Sequence, residues 1–177
     1  MHIAALASTL LFARGALGLR TVSKASQDSE VWTIEGLSRQ CSDDESECVW
    51  RFSVFRTVAA SSSRTACEHA LEALPDGTPA SRIRGSGATL CVAPPSDSEE
   101  EREGEGLGHG PFNYTVTSGW SDEFGDSPDK AFTTLSLIDY DEGLVSYPSY
   151  TDAQVRDGKP VEPDSSFPVR PIPSNVE

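Results

Sequence analysis

The chain is poor in histidine and cations, holds a single methionine, and after residue 12 has no long apolar run. Each shortage excludes something. Fourteen Lys and Arg stand against 28 Asp and Glu, a net charge of −14. The clustered cations that neutralise nucleic-acid phosphates are therefore missing, and no nucleic-acid partner is expected. An anionic membrane surface is disfavoured for the same reason. Spanning a bilayer takes roughly 20 consecutive apolar residues, and the tail from Pro168 to Glu177 (PVRPIPSNVE) lacks the hydrophobic end of a lipid-anchor signal. No membrane anchor is expected.

The one apolar stretch of note lies at the extreme N-terminus, Ile3 to Phe12, and Ala16-Leu17-Gly18 supplies the small-x-small pattern of a cleavage site. Residues 1–18 read as a signal peptide cut after Gly18, and 19–30 as a flexible segment. The leader carries one basic and no acidic side chain, so its removal takes the net charge from −14 to −15. What remains suits one secreted domain, placed at 31–158, with a Pro-rich tail at 159–177 that reads as loosely ordered.

Cysteine is scarce but even: Cys41, Cys48, Cys67 and Cys91. Behind a secretory leader this points to two disulfides. Spacing alone leaves three pairings open; Cys41 with Cys48 across a hairpin, and Cys67 with Cys91, is the choice taken forward. Zinc ligation would need close pairs such as C-x2-C, which are absent.

Hydrophobic period then gives the elements. Val31 to Leu37 and Cys48 to Phe55 read as strands joined by the polar Ser42 to Glu47, with Cys48, Trp50, Phe52 and Val54 on one face. Phe112 to Trp120 sets Phe112, Tyr114, Val116 and Trp120 against Asn113, Thr115 and Thr117. Gly85 to Ala93 and Phe132 to Tyr140 read as further strands, the latter turning at Asp141-Glu142-Gly143 into Leu144 to Tyr147. Ala66 to Leu74 (ACEHALEAL) is rich in helix formers, stops at Pro75-Asp76-Gly77, and reads as the single short helix. Ser61 to Ser63 read as loosely ordered. Ser96 to Gly110 is nearly all acid, Ser and Gly, with nothing to offset the entropy of ordering it. The expected fold is all-β: a disulfide-stapled antiparallel sandwich or barrel of six to seven strands with at most one short helix.

Candidate chemistry is thin. His69 and His109 are the histidines outside the leader, and neither lies in a nucleophile motif; G-x-S-x-G is absent. Glycines 104, 106, 108 and 110 alternate without the spacing of a phosphate-binding loop. Asp122, Glu123, Asp139, Asp141 and Glu142 could form a glycosidase pair, but in so acidic a chain their proximity in sequence carries little. Asp43-Asp44-Glu45 or Asp139-x-Asp141 could offer oxygens to calcium, yet Leu144 stands where an EF-hand loop needs Gly. No catalytic residue, metal or cofactor is assigned. Trp32, Trp50 and Trp120 read as core. Tyr140, Tyr147 and Tyr150 are kept as a contact surface for a protein or a sugar, and Asn113-Tyr114-Thr115 is the N-glycosylation sequon.

Trp32-Thr33-Ile34, Cys41-x6-Cys48-x-Trp50-x-Phe52-x-Val54, Cys67, Cys91 and the Thr134-Leu135-Ser136-Leu137 strand together resemble small secreted cysteine-containing proteins of filamentous fungi, some of them effector-like. The resemblance spans Val31 to Tyr150. More distantly the chain is similar to Alt a 1-like β-barrel proteins, which share a leader, a Trp-x-Ile opening and two disulfides; the long acidic insertion and the Cys spacing depart from them. These resemblances imply no catalytic residues. The function expected is that of a secreted, non-catalytic interaction protein at a fungus–host interface, binding an extracellular protein or cell-wall component. The alternative is a secreted hydrolase or a cell-wall carbohydrate-binding module. Protein recovered from culture medium is expected to begin at Leu19, which N-terminal sequencing checks; a secreted chain that keeps residues 1–18 would contradict the leader.

Overall fold

A computed structural model of the chain describes residues 30–58, 61–93 and 112–173. The signal peptide, nearly all of the 19–30 segment, the acidic stretch Ser96 to Gly110 and His109 within it lie outside the described residues. Two antiparallel sheets stack face to face as a sandwich and do not close into a barrel. The first has the order β3-β2-β1-β9. It is built from β1 (Val31–Cys41), β2 (Glu47–Val58), β3 (Ser61–Glu72) and β9 (Ser165–Pro168). The second runs β10-β7-β6-β5-β4, with β8 beside β6. Its strands are β4 (Thr89–Cys91), β5 (Tyr114–Ser121), β6 (Phe132–Asp139), β7 (Leu144–Ser146), β8 (Ser149–Thr151) and β10 (Arg170–Pro171). The short α1 (Asp152–Val155) follows β8.

Alternation builds the interior. Trp32, Trp50, Tyr114, Leu135 and Leu137 are each at most 1% exposed and meet between the sheets. Burying such side chains contributes roughly 1.5–3 kcal/mol each. Trp120 joins its two fellow tryptophans among the buried residues. In β1 the alternation slips at a bulge between Glu35 and Ser38. Gly36 takes φ +61° there, and its N–H donates to Asp164 at 2.9 Å. The kink turns Leu37 and Arg39 inward after Trp32 and Ile34.

Two sequence expectations are corrected. Ala66 to Leu74 is not a helix: most of it belongs to β3, paired with β2 over the strand's whole length, Ser61 to Ser63 included. Helix propensity is weak beside a period-two pattern that buries Thr65, Cys67, His69 and Leu71 and turns Ala66, Glu68 and Ala70 out. The described part of the Pro-rich tail, 159–173, is not loose. Its β9 pairs with β1 and its β10 with β7, so it supplies an outer strand to each sheet, where proline's missing N–H is tolerated. With β8 these additions raise the expected six to seven strands to ten among the described residues.

Cys41 and Cys48 face each other in the β1–β2 ladder and are bonded. Cys67 on β3 is bonded to Cys91 on β4, which ties the edge of one sheet to the edge of the other. At one end of the sandwich the inward-facing Arg56 of β2 is 4% exposed and meets Asp139 of β6 at 3.2 Å. It also meets Glu142 at 3.1 Å and lies over the Phe112 ring at 5.2 Å. Its Nε approaches Glu30 at 2.6 Å, an ionic contact at an angle off a hydrogen bond. Removing one partner of a buried pair leaves an uncompensated charge, so Arg56→Met is expected to cost about 3–5 kcal/mol. Adding Asp139→Asn should recover part of that loss. Urea denaturation checks both; a single variant as stable as wild type would contradict the cluster's role.

Candidate functional site

His69 is the one described histidine, and the fold surrounds it with hydroxyls. It points inward from β3, 1% exposed. Nδ1 lies 2.8 Å from Thr89 Oγ1 on β4, and Nε2 lies 3.1 Å from Ser118 Oγ on β5. Ser86 Oγ shares Nε2 at 3.2 Å. The segment before β4 is strapped to β5, which places Ser86 there: the Trp120 N–H donates to Ile83 O, the Ser86 N–H to Ser118 O, and the Ser118 N–H to Ser86 Oγ at 2.7 Å. Gly119 is needed beneath this strap, because a Cβ would come within 2.9 Å of the Arg84 carbonyl oxygen.

A serine hydroxyl beside an imidazole is half of a nucleophile device. Here Thr89, not a carboxylate, occupies Nδ1, so nothing anionic orients the ring or stabilises an imidazolium. Ser86 Oγ also donates to Gly87 O at 2.9 Å. The arrangement is a polar stitch between the sheets. Its three hydroxyl partners were missed in the sequence because they lie 17, 20 and 49 positions from His69, in segments without a motif.

Of the carboxylates considered for acid–base work, Asp122, Asp139 and Glu142 are paired with arginines. Asp139 is buried against Arg56 and accepts the N–H groups of Asp141 and Glu142, both at 3.0 Å. Asp122 pairs with Arg84 at 2.8 Å. In the β1–β2 turn, Asp44 takes hydrogen bonds from the Ser46 and Ser42 hydroxyls and the Ser46 N–H, which hold its carboxyl down to about 2. No group of three His, Cys, Asp or Glu side chains among the described residues converges as a metal site.

The open depressions of the described surface include two beside clustered charges. One, of about 570 Å³, lies on the first sheet beside Glu35, Arg51, Phe52 and Glu68, where Arg51 already pairs with Glu68 at 2.8 Å. The other, of about 300 Å³, lies beside Arg39, Arg82, Glu45, Asp152 and Arg156. There Asp152 is held by Arg39 at 3.0 Å and by the Trp120 indole N–H at 3.0 Å, and Glu45 accepts from Ser81. Neither depression contains His69.

The tyrosine trio divides. Tyr140 is 68% exposed and Tyr147 51%, flanking β7 on its two sides. Tyr150 is 4% exposed, packs edge-on to Phe167 at 5.8 Å, and is removed from the contact surface. Burial, with the charge of Asp164, pushes its hydroxyl well above the usual tyrosine range. Strand β8 pairs Tyr150 with the buried Thr133, which turns it inward. Asn113 immediately precedes β5 and is half-buried.

The family model described as Effector TSP1 matches residues 33–176. A protein named Effector TSP1 from Hypocrea virens is 32% identical over 170 residues, covering 95% of this chain and 96% of its own length. The chain belongs to the Effector TSP1 family. It is thereby placed among fungal effectors. The Effector TSP1 match extends past Tyr150, where the sequence resemblance stopped, and takes in β9 and β10. The match thus spans both tail strands and all four cysteines of this chain. The family match carries no link to the Alt a 1-like barrels.

Burial favours the neutral imidazole and lowers the His69 pKa below its usual 6.5. The unfolded chain therefore binds this proton more readily, and stability contributed by neutral His69 is complete above pH 6.5 and is lost as pH falls through the native value. His69→Gln is expected to cost about 1–2 kcal/mol at pH 7.5 through imperfect replacement of the hydrogen bonds. It should also flatten the loss of stability between pH 7.5 and 5. Urea midpoints across that range check the sign; equal slopes in wild type and variant would contradict it.

Proposed function

We propose that the mature chain is a secreted, non-catalytic effector that acts at a fungus–host interface by binding an extracellular protein or cell-wall component. The observation that carries this reading is membership of the effector family across residues 33–176. The leader pattern and two disulfides agree with export to an oxidising compartment. The interior supports binding over turnover: His69 meets hydroxyls, Asp139 and Asp152 meet arginines, and neither of the two charged depressions joins a histidine to a carboxylate.

Tyr140 and Tyr147 are the contact side chains in this reading. Each presents a large, amphipathic ring to solvent at the ends of β7, and such rings are enriched among the residues that dominate interface energetics. The net charge of −14 directs the choice of partner toward neutral or basic surfaces. The electrostatic share of binding then weakens as salt rises.

The test uses the secreted chain in a host-response assay and in pull-down on isolated cell wall. Tyr140→Ala with Tyr147→Ala should lower activity by roughly ten- to thirty-fold, the equivalent of about 1.4–2 kcal/mol, while leaving the unfolding midpoint within a degree or two. Full activity in the double variant would remove the tyrosines from the interface. Hydrolysis of host or wall polymers by the pure protein would replace binding with an enzymatic reading.

A further inference from the structure

The sequon and an apolar corner of the second sheet occupy the same place. β4 is the terminal strand of that sheet. Cys91 turns inward to its disulfide, so Leu90 and Val92 turn out, 65% and 57% exposed. Leu90 pairs with Thr115 across the β4–β5 ladder. Continuing that register by two residues sets Val92 opposite Asn113. The two sequon positions and the two exposed aliphatic side chains therefore form one patch on the outer face, at a sheet edge. A terminal strand with exposed apolar side chains is a template for unwanted pairing unless something covers it.

Asn113 is presented in a particular way. Its Oδ1 accepts the Ala93 N–H at 3.0 Å, which fixes the amide plane. Nδ2, the atom to which a sugar is joined, has no partner among the described residues. Asn113 lies on the wet side of β5 with Thr115, while Tyr114 between them is 1% exposed.

We propose that Asn113 carries an asparagine-linked oligosaccharide whose first sugars lie over Leu90 and Val92 and shield the β4 edge. The transfer joins Nδ2 to the anomeric carbon of an N-acetylhexosamine. The bond from that carbon to a lipid-linked diphosphate breaks, the diphosphate leaves with the bonding electrons, and Nδ2 gives up one proton to a base of the transferase. Thr115 supplies the hydroxyl that the sequon requires two positions on. The C–H face of a pyranose is apolar, so the first sugars can cover the aliphatic pair while the Asn113 Oδ1 keeps its bond to Ala93. This rests on the secretion proposed above, since the oligosaccharide donor is met on the secretory route.

The experiment expresses the full chain in a secreting yeast and compares medium with cell lysate by intact mass and peptide mapping. Wild type and Thr115→Ser should leave the cell with a glycan on the Asn113 peptide, and Thr115→Ala should leave without it. Endoglycosidase H should trim the wild type to a single N-acetylhexosamine. The unglycosylated chain should bind an apolar-surface dye several-fold more strongly than the glycosylated one, and Leu90→Ser with Val92→Ser should abolish the difference. Should Thr115→Ala fail to fold, amidase removal of the glycan from native wild type, which leaves an aspartate at 113, provides the comparison, with secreted Asn113→Asp as its control. A processed, secreted chain with bare Asn113 overturns this inference alone. A chain held inside the cell with bare Asn113 overturns both it and the secretion reading. A glycan whose removal leaves dye binding unchanged overturns the shielding.

Discussion

Among the described residues the two sheets share no ladder of backbone hydrogen bonds, so their face-to-face contact depends on side chains. The aromatic centre formed by Trp32, Trp50, Phe112 and Tyr114 supplies the non-directional attraction. Apolar contact alone would leave the relative placement of two open sheets loosely specified. Polar and covalent ties do the locating: Arg56 to Asp139 from β2 to β6, Arg39 to Asp152 from β1 to α1, His69 to Thr89 and Ser118 from β3 to β4 and β5, and Cys67 to Cys91 between the edges. Each buried polar tie is costly to leave half made. Together they admit one alignment.

These ties also account for how little chemistry the interior offers. A buried histidine, a buried Asp139 and a half-buried Asp152 would mark a catalytic site if they converged on an accessible space. In this effector they are spent on holding the sheets together. Asp139 serves an arginine and the turn that follows it; Asp152 serves Arg39 and Trp120. What remains for partners is the outside: loop tyrosines, the hydroxyl-bearing strands of the second sheet, and a negative overall field.

Much of the sandwich was legible as period-two alternation. β2 and β5 each bury the face that their sequence marks, because a strand with one wet side must sort apolar from polar at every second residue. β3 carried the same signal in Thr65, Cys67, His69 and Leu71, and the run of Ala, Glu and Leu masked it. Local propensity gave way to twelve residues of pairing with β2 and a cross-sheet disulfide. The tail strands are short, proline-bearing and stabilised almost wholly by what they lie against. The surroundings of His69 were illegible for a related reason: Ser86, Thr89 and Ser118 are ordinary residues until the Ile83–Ser86 strap folds onto β5.

The all-β class, the tryptophans as core and the four cysteines of the β-domain follow from local pattern and residue chemistry. The sequence by itself also determined that the surface would be acidic. The tertiary structure alone decided that Tyr150 is interior while Tyr140 and Tyr147 face water, that Asp139 is an anchor, and that His69 stitches two sheets. Those outcomes depend on which strands become neighbours across a sandwich. Packing between distant segments sets that choice, and one strand's periodicity cannot encode it.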